Sequence, residues 1–263
     1  MEKDIKKIVK DKYTRIVESQ QPSGCCEPSS CCEPSVETVF SEGYDHLEGY
    51  NPDADLNLGC GLPTEYARIQ PGDTVLDLGA GAGNDVFVAR SLAGESGRVI
   101  GVDMTEAMIA RAEQNRQKLG FDNVEFLLGE IEDLPLPDDS VDVAISNCVM
   151  NLVPDKQRAY AEVYRVLRPG GHFSISDIVT IGELTPEVRE AAALYAGCVS
   201  GALQKEAYLA AIADAGFQHI KIDKERLIDL PDELLLEHID TAELKAFRES
   251  GSSIYSINVY AEK

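Results

Sequence analysis

Between residues 74 and 179 the chain reads as short, nearly unbroken apolar runs separated by longer amphipathic stretches. The runs 74–78, 98–102, 124–128, 141–146 and 173–179 are short and rich in Val, Ile, Leu and Phe, and they predict strands. The stretches 84–93, 106–119 and 155–167 predict helices. Strands without polar alternation, interleaved with helices, predict a mostly parallel sheet covered on both faces. Arg168-Pro169-Gly170-Gly171 is expected to end the third helix, because proline lacks a donor and glycine tolerates positive φ.

The pattern changes on either side of this block. Residues 1–19 place Ile5, Ile8, Val9, Tyr13, Ile16 and Val17 at helical spacing with lysines between them, which predicts an amphipathic helix packed on the main domain. A short repeat follows, Cys25-Cys26-Glu27-Pro28-Ser29-Ser30 and then Cys31-Cys32-Glu33-Pro34-Ser35, in a Pro- and Ser-rich loop. Residues 41–64 read as irregular. Beyond residue 184, helices are expected at 185–196, 204–215 and 232–248, with strands at 218–224 and 254–261. The chain therefore divides into an N-terminal cover (1–57), an α/β core (58–184) and an extension (185–263). The extension is expected to complete the sheet and roof the pocket.

Charge narrows the partners. A net charge of −22 leaves nothing to neutralise phosphates, so nucleic acid is excluded as a partner. No stretch approaches the roughly 20 apolar residues of a membrane span. The first residues are charged and lack the apolar core of a signal peptide. Seven cysteines in such a chain read as thiols rather than a disulfide framework, which points to the cytoplasm.

The candidate chemistry begins where the first strand meets Gly79, Gly81 and Gly83. Glycine there lets a ligand approach the backbone, and the turn opens a helix whose N-terminus faces the ligand. Asp103 ends the second strand, where a carboxylate can accept both hydroxyls of a ribose. Glu130-Ile131-Glu132 follows the third strand, where an adenine edge would lie. Two cofactors suit this pattern, a dinucleotide and S-adenosylmethionine. The spacing Asp77-x-Gly79-x-Gly81-x-Gly83, with Asp133-Leu134-Pro135-Leu136-Pro137 downstream, favours the second and resembles the class I methyltransferases. That resemblance implies a Rossmann-like fold. It also implies that Asp77, Gly79, Ala80, Gly81, Gly83 and Asn147 surround the methionine part of S-adenosylmethionine. Asp103 would hold the ribose, and Met104, Glu130, Ile131 and Glu132 the adenine.

Cys60, Cys148 and Cys198 sit in glycine-rich or loop contexts around this core. Gly59-Cys60-Gly61, Val102-Asp103-Met104, the run from Ser146 to Lys156 around Cys148, and Gly197-Cys198 with Gly201-Ala202-Leu203 together resemble the arsenite S-adenosylmethionine methyltransferases. The resemblance implies that Cys60, Cys148 and Cys198 bind trivalent arsenic as thiolates. It implies a redox role for Cys32 or a neighbour among Cys25, Cys26 and Cys31, with thioredoxin or glutathione as the external reductant. Trivalent arsenic is soft and prefers thiolate to oxygen. Its lone pair accepts a methyl group without loss of a proton, so no general base is required. Four histidines and no evident Ser-His-Asp set fit that chemistry. Three other readings stay open: methylation of an organic small molecule, non-catalytic metalloid capture, and, more remotely, a dehydrogenase.

Overall fold

The computed structural model describes residues 2–19, 42–195 and 197–263. The elements, in chain order, are α1 (Glu2–Ser19), α2 (Pro63–Tyr66), β1 (Thr74–Leu78), α3 (Asn84–Ala93), β2 (Arg98–Asp103), α4 (Glu106–Leu119), β3 (Val124–Leu128) and β4 (Val141–Asn147). They continue as α5 (Lys156–Val166), β5 (Leu167–Ile181), α6 (Pro186–Tyr195), α7 (Lys205–Asp214), β6 (Gln218–Ile228), α8 (Asp232–Leu235), α9 (Thr241–Glu249) and β7 (Ser253–Glu262). One-turn 3₁₀ segments at Met150–Leu152 and Gly197–Gly201 complete the described residues.

The strands form one seven-stranded sheet in the order β3-β2-β1-β4-β5-β7-β6. The first five run parallel, and β7 and β6 are antiparallel to their neighbours. Apolar residues of β1, β2 and β4 are buried almost completely, as expected for strands with helices on both faces. The strand order reverses between β1 and β4, and a crevice opens outside their carboxyl ends.

Three expectations are corrected in detail. The third core helix ends at Val166, just before Arg168-Pro169 as expected, but β5 starts at Leu167 rather than at 173, with Gly170 and Gly171 bonded to the C-terminal residue. The expected helix at 232–248 is two helices. Asp240 caps α9 through the amides of Ala242 and Glu243, with Glu243 returning a bond, and this capping box starts a new helix. Finally, the extension beyond residue 184 does not roof the main cavity, whose lining ends at Pro154. Its strands β6 and β7 instead extend the sheet, and its helices enclose the cysteines.

The roof comes from the N-terminal side. Lys6, Val9 and Tyr13 of α1 line the cavity together with residues 54–59. Ion pairs hold the helix in place: Lys6 Nζ lies 2.6 Å from Glu130 and 2.5 Å from the buried Glu132, and Lys10 Nζ lies 2.6 Å from Glu106. No helix among the described residues is long and apolar enough to cross a membrane.

Candidate active site

The cavity encloses about 1100 Å³, including its open mouth. Its floor is the glycine turn after β1. Gly79 has φ 74°, and a Cβ there would stand 2.6 Å from a methyl of Val149, so both its conformation and its surroundings require glycine. Gly81 donates its amide to Asp103 Oδ2 at 3.0 Å, while Asp103 Oδ1 accepts from the Thr105 amide at 2.8 Å. These bonds fix the carboxylate at the end of β2 and leave lone pairs facing the cavity.

Of the expected cofactor residues, Asp77, Gly79, Ala80, Gly81, Asp103, Met104, Glu130, Ile131, Glu132 and Asn147 line the cavity. Gly83 does not. It takes φ 98° at the start of α3, and a Cβ there would meet Phe126 and Phe87, so its glycine serves helix packing. The carboxylates of Glu130 and Glu132 are committed to Lys6, and Glu132 also accepts from the Asp155 amide at 3.2 Å.

A buried polar network at the other end of the cavity escaped the sequence reading. Tyr44 Oη donates to Asp85 at 2.9–3.0 Å. Asn147 Nδ2 reaches Tyr44 Oη at 2.6 Å, the Gly61 carbonyl at 2.8 Å and Asp85 Oδ2 at 3.1 Å. Its Oδ1 accepts from the amides of Cys60 and Gly61 at 3.0 and 3.3 Å. One side chain thus ties the cavity to the strap that carries Cys60. Asp77 lies beside this network, and no hydrogen bond reaches its side chain among the described residues. That buried carboxylate fits the ammonium group of the cofactor's amino-acid end.

Burial raises these acids. Asp85 is pushed up to about 6, and Asp77 well above the usual carboxylate range, with Asp85 and Asp103 adding to the effect. On β5, Asp177 is pushed up to about 7, again chiefly by burial. In the unfolded chain all three return to about 3.9. From about pH 4 to 7 the folded state therefore holds protons that the unfolded chain has released. The stabilisation is complete below the unfolded value and is lost as pH rises through the folded ones. For Asp177 alone it is on the order of 4 kcal/mol. In high salt, which screens surface repulsion, the thermal midpoint should fall between about pH 5 and 8, and Asp177→Asn should flatten the decline. A midpoint that climbs over that interval would contradict this.

The cysteines meet at the end of β4. Cys60, Cys148 and Cys198 are buried, unoxidised and part of one apolar cluster. The Cys148 thiol interacts electrostatically with those of both Cys60 and Cys198, and its sulfur lies within 4.8 Å of that of Cys60. Cys148 has φ 61°, a left-handed conformation that costs a non-glycine residue about 1–3 kcal/mol. Its amide is held by the Ser176 carbonyl at 2.7 Å, and the strained turn brings it to the cavity wall. Cys60 and Cys198 stand behind it, outside the cavity lining. Burial pushes the Cys60 thiol up to about 11 and Cys148 well above its ordinary value, so both are protonated at neutral pH. Asp177 joins the cluster: its carboxylate and the sulfurs of Cys60 and Cys148 all lie within 4.8 Å of one another. Cys25, Cys26, Cys31 and Cys32 lie outside the described residues.

Residues 69–216 match the family described as methyltransferase domain. Over 231 residues the chain is 41% identical to the arsenite methyltransferase of Halobacterium salinarum, covering 83% of this chain and 59% of that protein. It is 44% identical over 154 residues to the arsenite methyltransferase of Mus musculus, covering 55% of this chain and 40% of the mouse protein. The crystal structure of CrArsM, an arsenic(III) S-adenosylmethionine methyltransferase from Chlamydomonas reinhardtii, superposes with a TM-score of 0.66 at 36% identity, covering 89% of this chain and 75% of that one. The chain belongs to the arsenic(III) S-adenosylmethionine methyltransferase family. It spans less than two thirds of the length of the curated relatives it matches. The seven-stranded, mostly parallel sheet is the class I methyltransferase fold.

Proposed function

We propose that this chain transfers a methyl group from S-adenosylmethionine to trivalent arsenic held by Cys60, Cys148 and Cys198. The observation that carries the reading is the convergence of three buried thiols, far apart in sequence, on the wall of the cofactor cavity at Cys148. Residues 58–184 hold the cofactor, residues 185–263 supply Cys198, and residues 1–57 cover the site.

S-adenosylmethionine, when bound, supplies an electrophilic methyl group. Asp103 would hold the ribose hydroxyls, Met104 and Ile131 the adenine, and Asp77 the ammonium. The protein's part at the other centre is ligand exchange. Three thiols displace the three hydroxyls of arsenous acid as three waters, an exchange with no net proton release. The apolar cluster around the sulfurs keeps water from reversing the exchange. The site then acts mainly by proximity and orientation.

Methylation leaves arsenic formally pentavalent. Two electrons return it to the trivalent state, and two cysteine thiols supply them by forming a disulfide. We assign this to Cys60 and one of Cys25, Cys26, Cys31 and Cys32, with Cys32 as the first candidate. Thioredoxin or glutathione resets the pair, consistent with a reducing cytoplasm. Replacing the four loop cysteines with serine should slow multiple turnover at least about tenfold, the effect of losing an intramolecular reductant. Arsenite affinity should be nearly unchanged in that variant, and its loss would count against the division of labour.

The test is incubation with arsenite, S-adenosylmethionine and a thiol, followed by arsenic speciation. Methylated arsenic is the expected product. Arsenite bound but never methylated would make the chain a sequestrant, and an inert mixture would end the reading altogether.

A further inference from the structure

Asp177 has no task in the chemistry described so far. It sits fully buried in β5 among Phe173, Ile175 and Val179, in a strand where an apolar residue would serve the fold better. Its own partners are modest. Oδ1 accepts from the adjacent Ile178 amide at 3.0 Å, Oδ2 is 3.4 Å from Tyr208 Oη, and the Asn151 backbone and the Lys156 charge also favour its ionised form. The Lys156 ammonium donates to the carbonyls of Asn151 and Val153 instead. What the Asp177 carboxylate does face is the sulfurs of Cys60 and Cys148, all three donors within 4.8 Å of one another. Cys198 reaches the same group through Cys148.

We propose that Asp177 completes a four-donor cage, three sulfurs and one oxygen, that captures a thiophilic divalent cation such as cadmium or zinc in competition with arsenite. The argument is coordination number. Trivalent arsenic bonds to three sulfurs and keeps a lone pair in the fourth direction, so it leaves a fourth donor idle. Closed-shell divalent cations with an affinity for thiolate take four donors in a tetrahedron. Bond lengths of about 2.3 Å to sulfur and roughly 2.1 Å to oxygen place tetrahedral donors about 3.5–3.8 Å apart. Cys60, Cys148 and Asp177 lie within 4.8 Å of one another, and the cage forms as these side chains and that of Cys198 turn in on the cation. The thiols lose their protons to water as the cation binds.

The test uses the full chain with Cys25, Cys26, Cys31 and Cys32 all changed to serine, so that loop thiols do not compete. Cadmium chloride is titrated into the reduced protein and followed by the sulfur-to-metal charge-transfer absorbance. One tight equivalent is expected, and arsenite should compete with it. Asp177→Asn keeps the shape and the acceptor for Ile178, and should weaken cadmium at least about tenfold while shifting arsenite affinity by less than about threefold. Equal cadmium affinity in that variant, or equal loss for both ligands, would overturn the cage. X-ray absorption at the cadmium edge of the Asp177 parent decides the matter even if the variant fails to fold. An oxygen among the sulfurs supports the proposal, and a sulfur-only shell defeats it. The outcomes separate from the arsenite reading: cadmium bound with arsenite refused sinks that reading and leaves the cage, and the reverse result sinks the cage alone.

Discussion

Cys148→Ser is expected to abolish arsenite methylation, lowering the rate by at least about three orders of magnitude, or roughly 4 kcal/mol of transition-state stabilisation. The reason lies in the softness of arsenic. A serine hydroxyl has nearly the same shape and can sit in the same strained turn, but it offers a hard oxygen in place of sulfur. Cys148 also interacts with both other thiols, so its loss removes one of three converging sulfurs. Cys198→Ser should cost as much. The two variants should differ in their effect on the cofactor. Cys148 lines the cavity and Cys198 does not, so S-adenosylmethionine affinity should be untouched by the second change and shift only a few-fold in the first. Arsenic speciation measures the reaction, and calorimetric titration measures the cofactor. Wild-type methylation in either variant would remove it from the ligand set and, with it, the three-thiol site.

The legible part of this protein was the part written in local patterns. The limits of β1, α3, α4 and β3 follow directly from apolar runs bounded by glycine and polar turns. That the core strands run parallel follows from the βα alternation, but their order, with its reversal between β1 and β4, leaves no mark in the pattern. The cofactor residues were readable because each follows a strand, and the ends of parallel strands share one edge. The cysteines were readable through resemblance and through their glycine-rich settings. Asp85 and Tyr44 were not, because a first-turn acid on a helix looks like a dipole partner and a tyrosine in an irregular segment carries no periodic signal. Asp177 did leave a trace: a carboxylate inside the run 173–179, a strand buried on both faces, stands out from the apolar residues around it. The break before α9 was missed because Asp240 reads as one more acid in an acidic helix until its side chain is seen capping a new one. Cover was expected from both ends of the chain, and among the described residues only the N-terminal side lines the cavity, since a helix packing on its own domain leaves no mark of which loop it covers.

Asn147→Ala should damage both halves of the site at once, and this separates its role from that of a simple cofactor contact. Its amide makes hydrogen bonds in two directions, to the Cys60–Gly61 strap and to the Tyr44–Asp85 pair. Gly59 is pressed so closely against it that a Cβ there would stand 2.6 Å from Nδ2. Removing the amide frees the strap, leaves the Cys60 amide without its acceptor and strips one donor from the buried Asp85. Each buried group left unsatisfied costs about 1–3 kcal/mol. Arsenite affinity should therefore drop at least about tenfold, with cofactor affinity falling beside it and methylation down by about two orders of magnitude. Asn147→Asp tests the cause. An oxygen still accepts from Cys60 and Gly61, but at neutral pH an ionised carboxylate would face Asp85, itself pushed up to about 6 by burial. Protonation turns the new side chain into a donor and removes the repulsion. Activity of this variant should rise as pH is lowered from about 8 to 6, where the pair takes up its shared proton. An Asn147→Ala enzyme with unchanged arsenite affinity, or an Asn147→Asp enzyme whose activity falls on acidification, would show that the strap is held in place by something other than this amide.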